Sequence, residues 1–226
     1  MFEQFLEQVP LFFSYHNLVF IAQAMGRTLA MTFIGCSVGF FFGFCIAVLR
    51  QSTAPLLQVF RWLAIAYVEI FRRIPFLVIL FIVLFVIEPL MPGTSLFGIA
   101  TVSVCLLSTA FLSEVIRSGL ESVPPQQVEG AKSLNFNALQ TLVMVIMPQA
   151  WKVILPPAAA FVVMFIKDTS LASQLGVIEL TFAGKMLVNR GFSPILGFGV
   201  VLICYFALSY PLSRFAAYLE TRLASS

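Results

Sequence analysis

Eight polar or ionisable side chains stand inside otherwise apolar runs of this chain: Glu69, Arg72, Glu114, Arg117, Lys167, Asp168, Thr169 and Ser170. A guanidinium such as that of Arg72 binds a carboxylate through a fork of two N–H groups, and an aspartate beside two hydroxyls accepts hydrogen bonds from an ammonium group. Charges within apolar segments are costly, so they face the protein interior or water and mark a pathway. Each cluster here carries both signs, since Arg73 joins Glu69 and Arg72. Glu114 and Arg117, three apart on one helical face, also read as a mutually neutralising structural pair. For Arg72 and for Asp168, Thr169 and Ser170 the expectation is function. Bond-making chemistry finds no support: His16 is the only histidine, no nucleophile has a base at recognisable spacing, and there is no G-x-x-x-x-G-K-[ST] phosphate loop.

The elements that must position these groups are membrane spans. The chain has 226 residues, of which 60% are hydrophobic and 10% charged, and its mean hydropathy is +1.01. An ordinary soluble domain is excluded. A spanning helix needs about 20 apolar residues, and several runs qualify. The formal net charge of +3 and the lack of a basic run argue against a nucleic acid partner. Cys36, Cys45, Cys105 and Cys204 lie singly in apolar segments with no C-x-x-C spacing and read as buried free thiols.

Residues 1–20 place Phe2, Phe5, Leu6 and Val9 at helical spacing opposite Glu3 and Glu7, as in a short helix lying in the membrane interface. The acidic start is unlike a secretory signal. Spans are expected near residues 28–49, 57–88, 99–118, 151–171 and 195–215 of a single membrane domain covering residues 1–226. Gly35, Gly39 and Gly43 form a smooth stripe on the first span, suited equally to a dimer contact or to packing within the chain. The second run is too long for one straight crossing and is interrupted at Ile74-Pro75, which reads as a broken span whose second half opens a new, dipole-positive helix N-terminus. Two crossings joined at Arg72-Arg73 is the competing reading. Residues 172–194 read as a loop.

Between the third and fourth spans, residues 119–150 form a polar excursion. Pro124 and Pro125 open it, and Gln126, Gln127, Glu129, Lys132, Ser133, Asn135, Asn137 and Gln140 follow before apolar sequence resumes. It has room for two short helices and is too polar for lipid, so it is presented to a partner in water.

This excursion resembles the signature loop of the permease subunits of binding-protein-dependent ABC importers. Glu129-Gly130-Ala131 stands where that family has Glu-Ala-Ala, Asn135 where it has Gly, and Val145-Ile146-Met147-Pro148 where it has Ile-x-Leu-Pro. Asparagine tolerates a left-handed backbone better than other non-glycine residues, so the turn is expected to survive at Asn135. Four further motifs follow the polar amino acid permeases in order: Tyr67 to Pro75 is similar to Y-x-x-x-F-R-x-x-P, Ser113 to Gly119 to S-E-x-x-R-x-G, Pro148-Gln149-Ala150 with Pro156 to L-P-Q-A-x-x-x-x-x-P, and Lys167 to Leu171 to K-D-T-S-L.

The resemblance implies an all-α integral membrane protein of about five transmembrane helices, the MetI-like transmembrane domain of type I ABC importers, with a cytoplasmic coupling helix. It implies a bacterial inner-membrane location, a second permease subunit, two cytoplasmic ABC ATPase subunits, a periplasmic amino acid binding protein and an amino acid substrate, with lipid around the spans. Cofactors are expected on the ATPase, which binds ATP and Mg, and none on this chain. Gln127, Glu129, Gly130, Ala131, Ser133, Leu134 and Asn135 would meet the ATPase, while Glu69, Arg72, Glu114, Lys167, Asp168, Thr169 and Ser170 would line the pathway. Five spans entered from outside leave the N-terminus periplasmic and the C-terminus and excursion cytoplasmic. Arg50, Arg117, Lys132, Lys152, Arg214 and Arg222 then lie inside, against Arg27, Lys167, Lys185 and Arg190 outside. A secondary transporter or a structural membrane subunit is the alternative reading. The first would show inverted repeats that this chain lacks.

Overall fold

The computed structural model describes residues 2–52 and 54–224. The side chains of residues 2–6 and 224 lie outside that description, and with them the expected apolar face of Phe2, Phe5 and Leu6 opposite Glu3. The helices are α1 Phe2–Phe12, α2 Tyr15–Gln51, α3 Gln58–Arg73, α4 Phe76–Leu90, α5 Leu96–Glu121, α6 Pro125–Ser133, α7 Ala138–Gln140, α8 Met147–Asp168, α9 Leu180–Asn189 and α10 Pro194–Ala224. Among the described residues four helical runs are long and apolar enough to cross a membrane, and five if α3 and α4 are taken as one broken span.

The first long helix starts at Tyr15, well before the expected Thr28. No proline interrupts residues 15–51 and the single glycine ahead of the span, Gly26, costs a helix only about 1 kcal/mol, so nothing stops the turn from propagating backwards. At 37 residues and about 1.5 Å per residue, α2 exceeds the roughly 30 Å of a hydrocarbon core.

Between α3 and α4 the axes turn by 118°. Ile74 is extended (φ −89°, ψ 134°), as the residue before a proline must be, and Pro75 supplies no N–H to close the ladder. The freed Pro75 carbonyl accepts Val78 N at 3.0 Å and starts α4. Each half is shorter than the roughly 20 residues of a crossing.

The glycine stripe of α2 packs within the chain, against α5. A Cβ on Gly35 would stand 2.3 Å from Val104 Cγ1, one on Gly39 2.2 Å from Ser108 Oγ, and one on Gly43 2.9 Å from Ser113 N. Ser108 Oγ donates to the Gly35 carbonyl at 2.7 Å across the contact. The apolar core continues from here through Met31, Val104, Leu107 and Phe165 to Ile79, Leu80 and Val83 of α4.

After α5 the chain turns at Val123-Pro124 into α6, whose first turn holds Pro125, where the missing N–H is not needed. Asn135 has φ 60°, the one positive φ outside glycine among the described residues. Phe136 N reaches back to Ala131 O at 3.1 Å, closing the left-handed end of the helix. Asn137 caps α7 reciprocally with Gln140, each bond 2.9 Å. Residues Thr141–Ile146 then form a wider π turn, with Met147 N bonded to Leu142 O, immediately before Pro148. Proline has no N–H and its ring crowds the carbonyl four residues back, so the helix opens by one residue and passes into α8 without ending.

Helical structure therefore occupies residues 138–175, longer at both ends than the expected span 151–171. The expected loop 172–194 is also largely helical, because a 3-10 turn Thr169–Leu175 and α9 fill it. Leu180, Ala183, Gly184 and Leu187 form a buried stripe at helical spacing there, a short amphipathic signal masked by Thr181 and Lys185. The last helix runs on past residue 215 to Ala224 with Pro211 inside it. Of the four thiols only Cys36 is buried, and Cys45 is exposed, contrary to expectation, because it falls on the outer face of α2 away from the glycine stripe.

Gly39→Leu should lower the stability of the purified protein by about 1–3 kcal/mol, the range for overpacking a close contact. Gly26→Ala meets nothing within 4 Å and should be neutral or mildly stabilising. Thermal midpoints of the two variants in detergent check the contrast.

Candidate functional site

The α2–α5 contact delivers a cation to a carboxylate. Gly35, Gly39, Gly43 and Ala47 lie on one face of α2, and Arg50 follows on that face at its end. Its NH1 donates to Glu114 Oε2 on α5 at 2.8 Å. Arg117, one turn further along α5, donates Nε to Glu114 Oε1 at 3.1 Å, with its NH2 on the same oxygen. Arg117 NH1 also donates to Glu121. From α3, Arg72 NH1 stands 3.7 Å from Glu114 Oε2. One carboxylate thus gathers guanidinium groups from three helices.

Arg72 also lies over the Phe111 ring at 5.7 Å. With Phe111, Glu114, Val153, Pro157 and Phe161 it lines a cavity of about 360 Å³ between α3, α5 and α8. The rings of Phe111 and Phe161 face each other there, 5.0 Å between centroids. An adjoining hollow of about 280 Å³ is bordered by Glu69, Arg72, Arg73 and Phe111. Arg72 is common to both. Glu69 pairs with Arg73, 2.6 Å from its NH2 and 3.1 Å from its Nε, one helical turn on. Tyr67 donates to the Leu106 carbonyl at 2.5 Å and fixes the middle of α3 on α5.

Lys167, Asp168, Thr169 and Ser170 are not among the residues lining the Arg72 cavity. Lys167 is exposed, Asp168 and Ser170 are half-buried, and Thr169 is buried with its hydroxyl on the Ile166 carbonyl at 2.8 Å. The carboxylate that faces Arg72 is Glu114. On α6 and the turn after it, Gln127, Glu129, Gly130, Ser133, Leu134 and Asn135 are exposed, and Ala131 is turned inward. A Cβ on Gly130 would meet nothing within 4 Å, so this residue keeps the surface of α6 low and open.

Two residues escape a reading of the sequence. Arg50 looks like an ordinary basic flank of a span, and only its partner reveals it. Glu179, in the segment read as a loop, is wholly buried. It caps α9 by accepting Thr181 N at 2.9 Å and Phe182 N at 2.8 Å, and it accepts the Tyr205 hydroxyl of α10 at 2.9 Å. Thr28 Oγ1 of α2 accepts Leu180 N alongside at 3.2 Å. Burial pushes the Glu179 carboxyl above the usual carboxylate range, against the pull of the two amides, the Tyr205 hydroxyl and the charge of Lys185. A glutamate followed two and three residues on by the amides it caps is the signal that could have found it.

The family model of the binding-protein-dependent transport system inner membrane component matches residues 39–225. The chain belongs to that family. It is similar, at 33% identity over 215 residues, covering 93% of this chain and 96% of the relative, to a probable glutamine ABC transporter permease protein of Bacillus subtilis (strain 168). It is 32% identical over 197 residues to the L-cystine transport system permease protein of the same organism, covering 87% and 83% of the two chains. The nopaline transport system permease protein of Agrobacterium fabrum (strain C58 / ATCC 33970) is 28% identical over 201 residues, covering 84% and 82%. Among solved structures, the crystal structure of an amino acid ABC transporter with histidines has the same fold, with a TM-score of 0.83 at 24% identity over 96% of this chain and 98% of that one. An inward facing conformation of the MetNI methionine ABC transporter follows, with a TM-score of 0.79 at 21% identity over 93% and 99%. This permease is an all-helical inner-membrane protein and a transport subunit, not an enzyme.

Because the folded permease holds the Glu179 proton more tightly than an unfolded chain does, the stabilisation this gives is complete below the ordinary carboxylate range. It is lost as pH rises through the raised value. Glu179→Gln should flatten that part of the pH dependence of the thermal midpoint. Glu179→Ala, which removes the cap and leaves two part-buried amides without an acceptor, should cost about 1–3 kcal/mol at neutral pH.

Proposed function

We propose that this chain forms the translocation pathway of an ATP-driven amino acid importer and transmits the motion of a separate ATPase through α6. The observation that carries the reading is the joining, by the single helix α5, of a charged cavity to an exposed surface helix. Glu114 lies in the second half of α5, and α6 follows its last residue after Ser122–Pro124. The amino acid assignment draws on the relatives, whose names specify glutamine, cystine and nopaline transport.

In this reading ATP and Mg bind to two cytoplasmic ABC ATPase subunits, and this chain holds neither. A second permease subunit completes the pathway, and a periplasmic binding protein delivers the substrate. The N-terminus is periplasmic and the C-terminus cytoplasmic, in keeping with the excess of Arg and Lys on the side of α6. Glu129 and the exposed Gln127, Gly130, Ser133, Leu134 and Asn135 enter a groove on the ATPase, and Ala131 packs α6 against its own chain. Closure of the ATPase pair pushes α6, and α5 carries the displacement into the cavity. Lipid surrounds the apolar outer faces of the spans.

For the substrate, Arg72 takes the α-carboxylate in a two-bonded fork, as the planar guanidinium is built to do. Glu69 and Glu114 set the charge around it. Asp168, with Thr169 and Ser170, accepts the ammonium group further along the path, and Lys167 balances Asp168. The apolar part of the amino acid lies against Phe111 and Phe161.

Extraction of the tagged chain in mild detergent should bring an ATPase with it, and turnover of that complex should rise only with one loaded binding protein, which names the substrate. Recovery of the chain alone, under conditions that keep a known importer intact, sinks the reading. Asp168→Asn should abolish uptake in proteoliposomes while the complex still co-purifies. Uptake at the wild-type rate removes Asp168 from the pathway.

A further inference from the structure

The three arginines around Glu114 are held unequally. Arg50 is 2.8 Å away with 11% of its side chain exposed. Arg117 contacts Glu114 with both Nε and NH2, is 26% exposed, and has Glu121 as a second partner. Arg72, at 3.7 Å and 36% exposed, is beyond hydrogen-bonding distance of Glu114, to which charge alone holds it, and its other contact is the face of Phe111. Two carboxylates, Glu114 and Glu121, face three guanidinium groups, so one positive charge is left over. Glu69 does not cancel it, because Arg73 engages that carboxylate at 2.6 Å. Distance and exposure assign the surplus to Arg72.

The surroundings of Arg72 let it change partners. It borders both the 360 Å³ cavity and the 280 Å³ hollow. It also lies in the last turn of α3, just before the helix break at Ile74-Pro75. Movement of α3 there bends a joint that has no helical hydrogen bond to lose, with Ile79, Leu80 and Val83 of α4 buried in the core beyond it and only the partly buried Phe71 and Ile74 packed on that core from its near side. Arg50 and Arg117 keep Glu114 neutralised whether Arg72 is near or not, so release of Arg72 strands no charge.

We propose that Glu114 is an internal competitor of the transported carboxylate. In the empty permease it restrains Arg72, and with it the last turn of α3 against α5; an arriving carboxylate takes Arg72 in a bidentate fork and frees that turn, while Tyr67 keeps the middle of α3 on α5. The inference rests on the importer reading above, in which Arg72 takes the substrate carboxylate, and adds to it a competitor for Arg72 and a physical reason why an empty permease stays closed. Phe111 and Phe161 form the wall against which the rest of the substrate settles once Arg72 has turned to it.

The test uses the intact complex with its own ATPase and binding protein in proteoliposomes, comparing uptake and the ratio of ATP turnover with and without the loaded binding protein. Arg72→Gln leaves Glu114 with Arg50 and Arg117, so the fold is kept. Its turnover without substrate should rise toward the loaded wild-type level, the ratio should fall toward one, and uptake should drop by about ten-fold or more, the scale of one lost charge-assisted contact. Glu114→Gln should also raise turnover without substrate, while uptake falls less than in Arg72→Gln because the substrate's partner remains. Arg190→Gln, the same change of charge on α9, should alter neither quantity. A wild-type ratio in Arg72→Gln, with wild-type uptake intact in the parent complex, overturns the inference and leaves the importer reading standing. A parent complex that imports no amino acid overturns both.

Discussion

The close approach of α2 and α5 is the constraint from which the rest of the structure follows. In lipid there is little hydrophobic gain in bringing two helices together, so association depends on atomic contact and on hydrogen bonds across it. Gly35, Gly39 and Gly43 allow that contact because a Cβ at any of them would collide with α5. The Ser108 hydroxyl bonds to the Gly35 carbonyl exposed by the missing side chain. Once the two helices lie so close, Arg50 reaches Glu114 at the end of the stripe, and the charged cluster is assembled by the same surface that holds the bundle.

Around that pair, the other elements bring polar groups where they can be satisfied. The break at Ile74-Pro75 lets α3 lie along α5, with Tyr67 on the Leu106 carbonyl and Arg72 beside Phe111, while α4 takes a new direction and packs on Ile99, Ala100 and Val104 of α5 in the apolar core. The π turn before Pro148 lets one helix run from Ala138 in the polar excursion into α8, so α6 is joined to the spans by short turns, Ser122–Pro124 on one side and Leu134–Asn137 on the other. At the far end of the bundle, Glu179 joins α9 to α10 through Tyr205, and Thr28 joins α2 to the start of α9. These polar groups find partners on a different helix or on their own backbone, as a medium without water requires, whereas the buried Ser209 hydroxyl of α10 has none.

Local rules legible in the sequence govern much of this. Proline 75 lacks a donor and restricts the residue before it, so the break in α3–α4 is visible without a structure. The left-handed residue after α6 could be placed at Asn135 because few side chains accept that backbone, and φ there is 60°. Other features were hidden because their signal is weak or shared. The stretch 172–194 reads as a loop because Thr181, Lys185, Asn189 and Arg190 obscure a short buried stripe. The early start of α2 was hidden because polar residues in a helix do not end it.

The sequence by itself determined the solvent, the helical class, the breakpoints and the family, because hydropathy, proline geometry and ordered motifs are local properties of the chain. Tertiary structure decided which charges meet. Arg72 and Glu114 are 42 positions apart and Arg50 and Glu114 are 64 apart, and nothing in their immediate neighbours says that they converge. Only the packing of α2 and α3 on α5 places three guanidinium groups around one carboxylate. The glycine stripe shows the same division. Its smoothness is written in the spacing of three residues, but whether it met another copy or this chain's own α5 depended on where the chain returned.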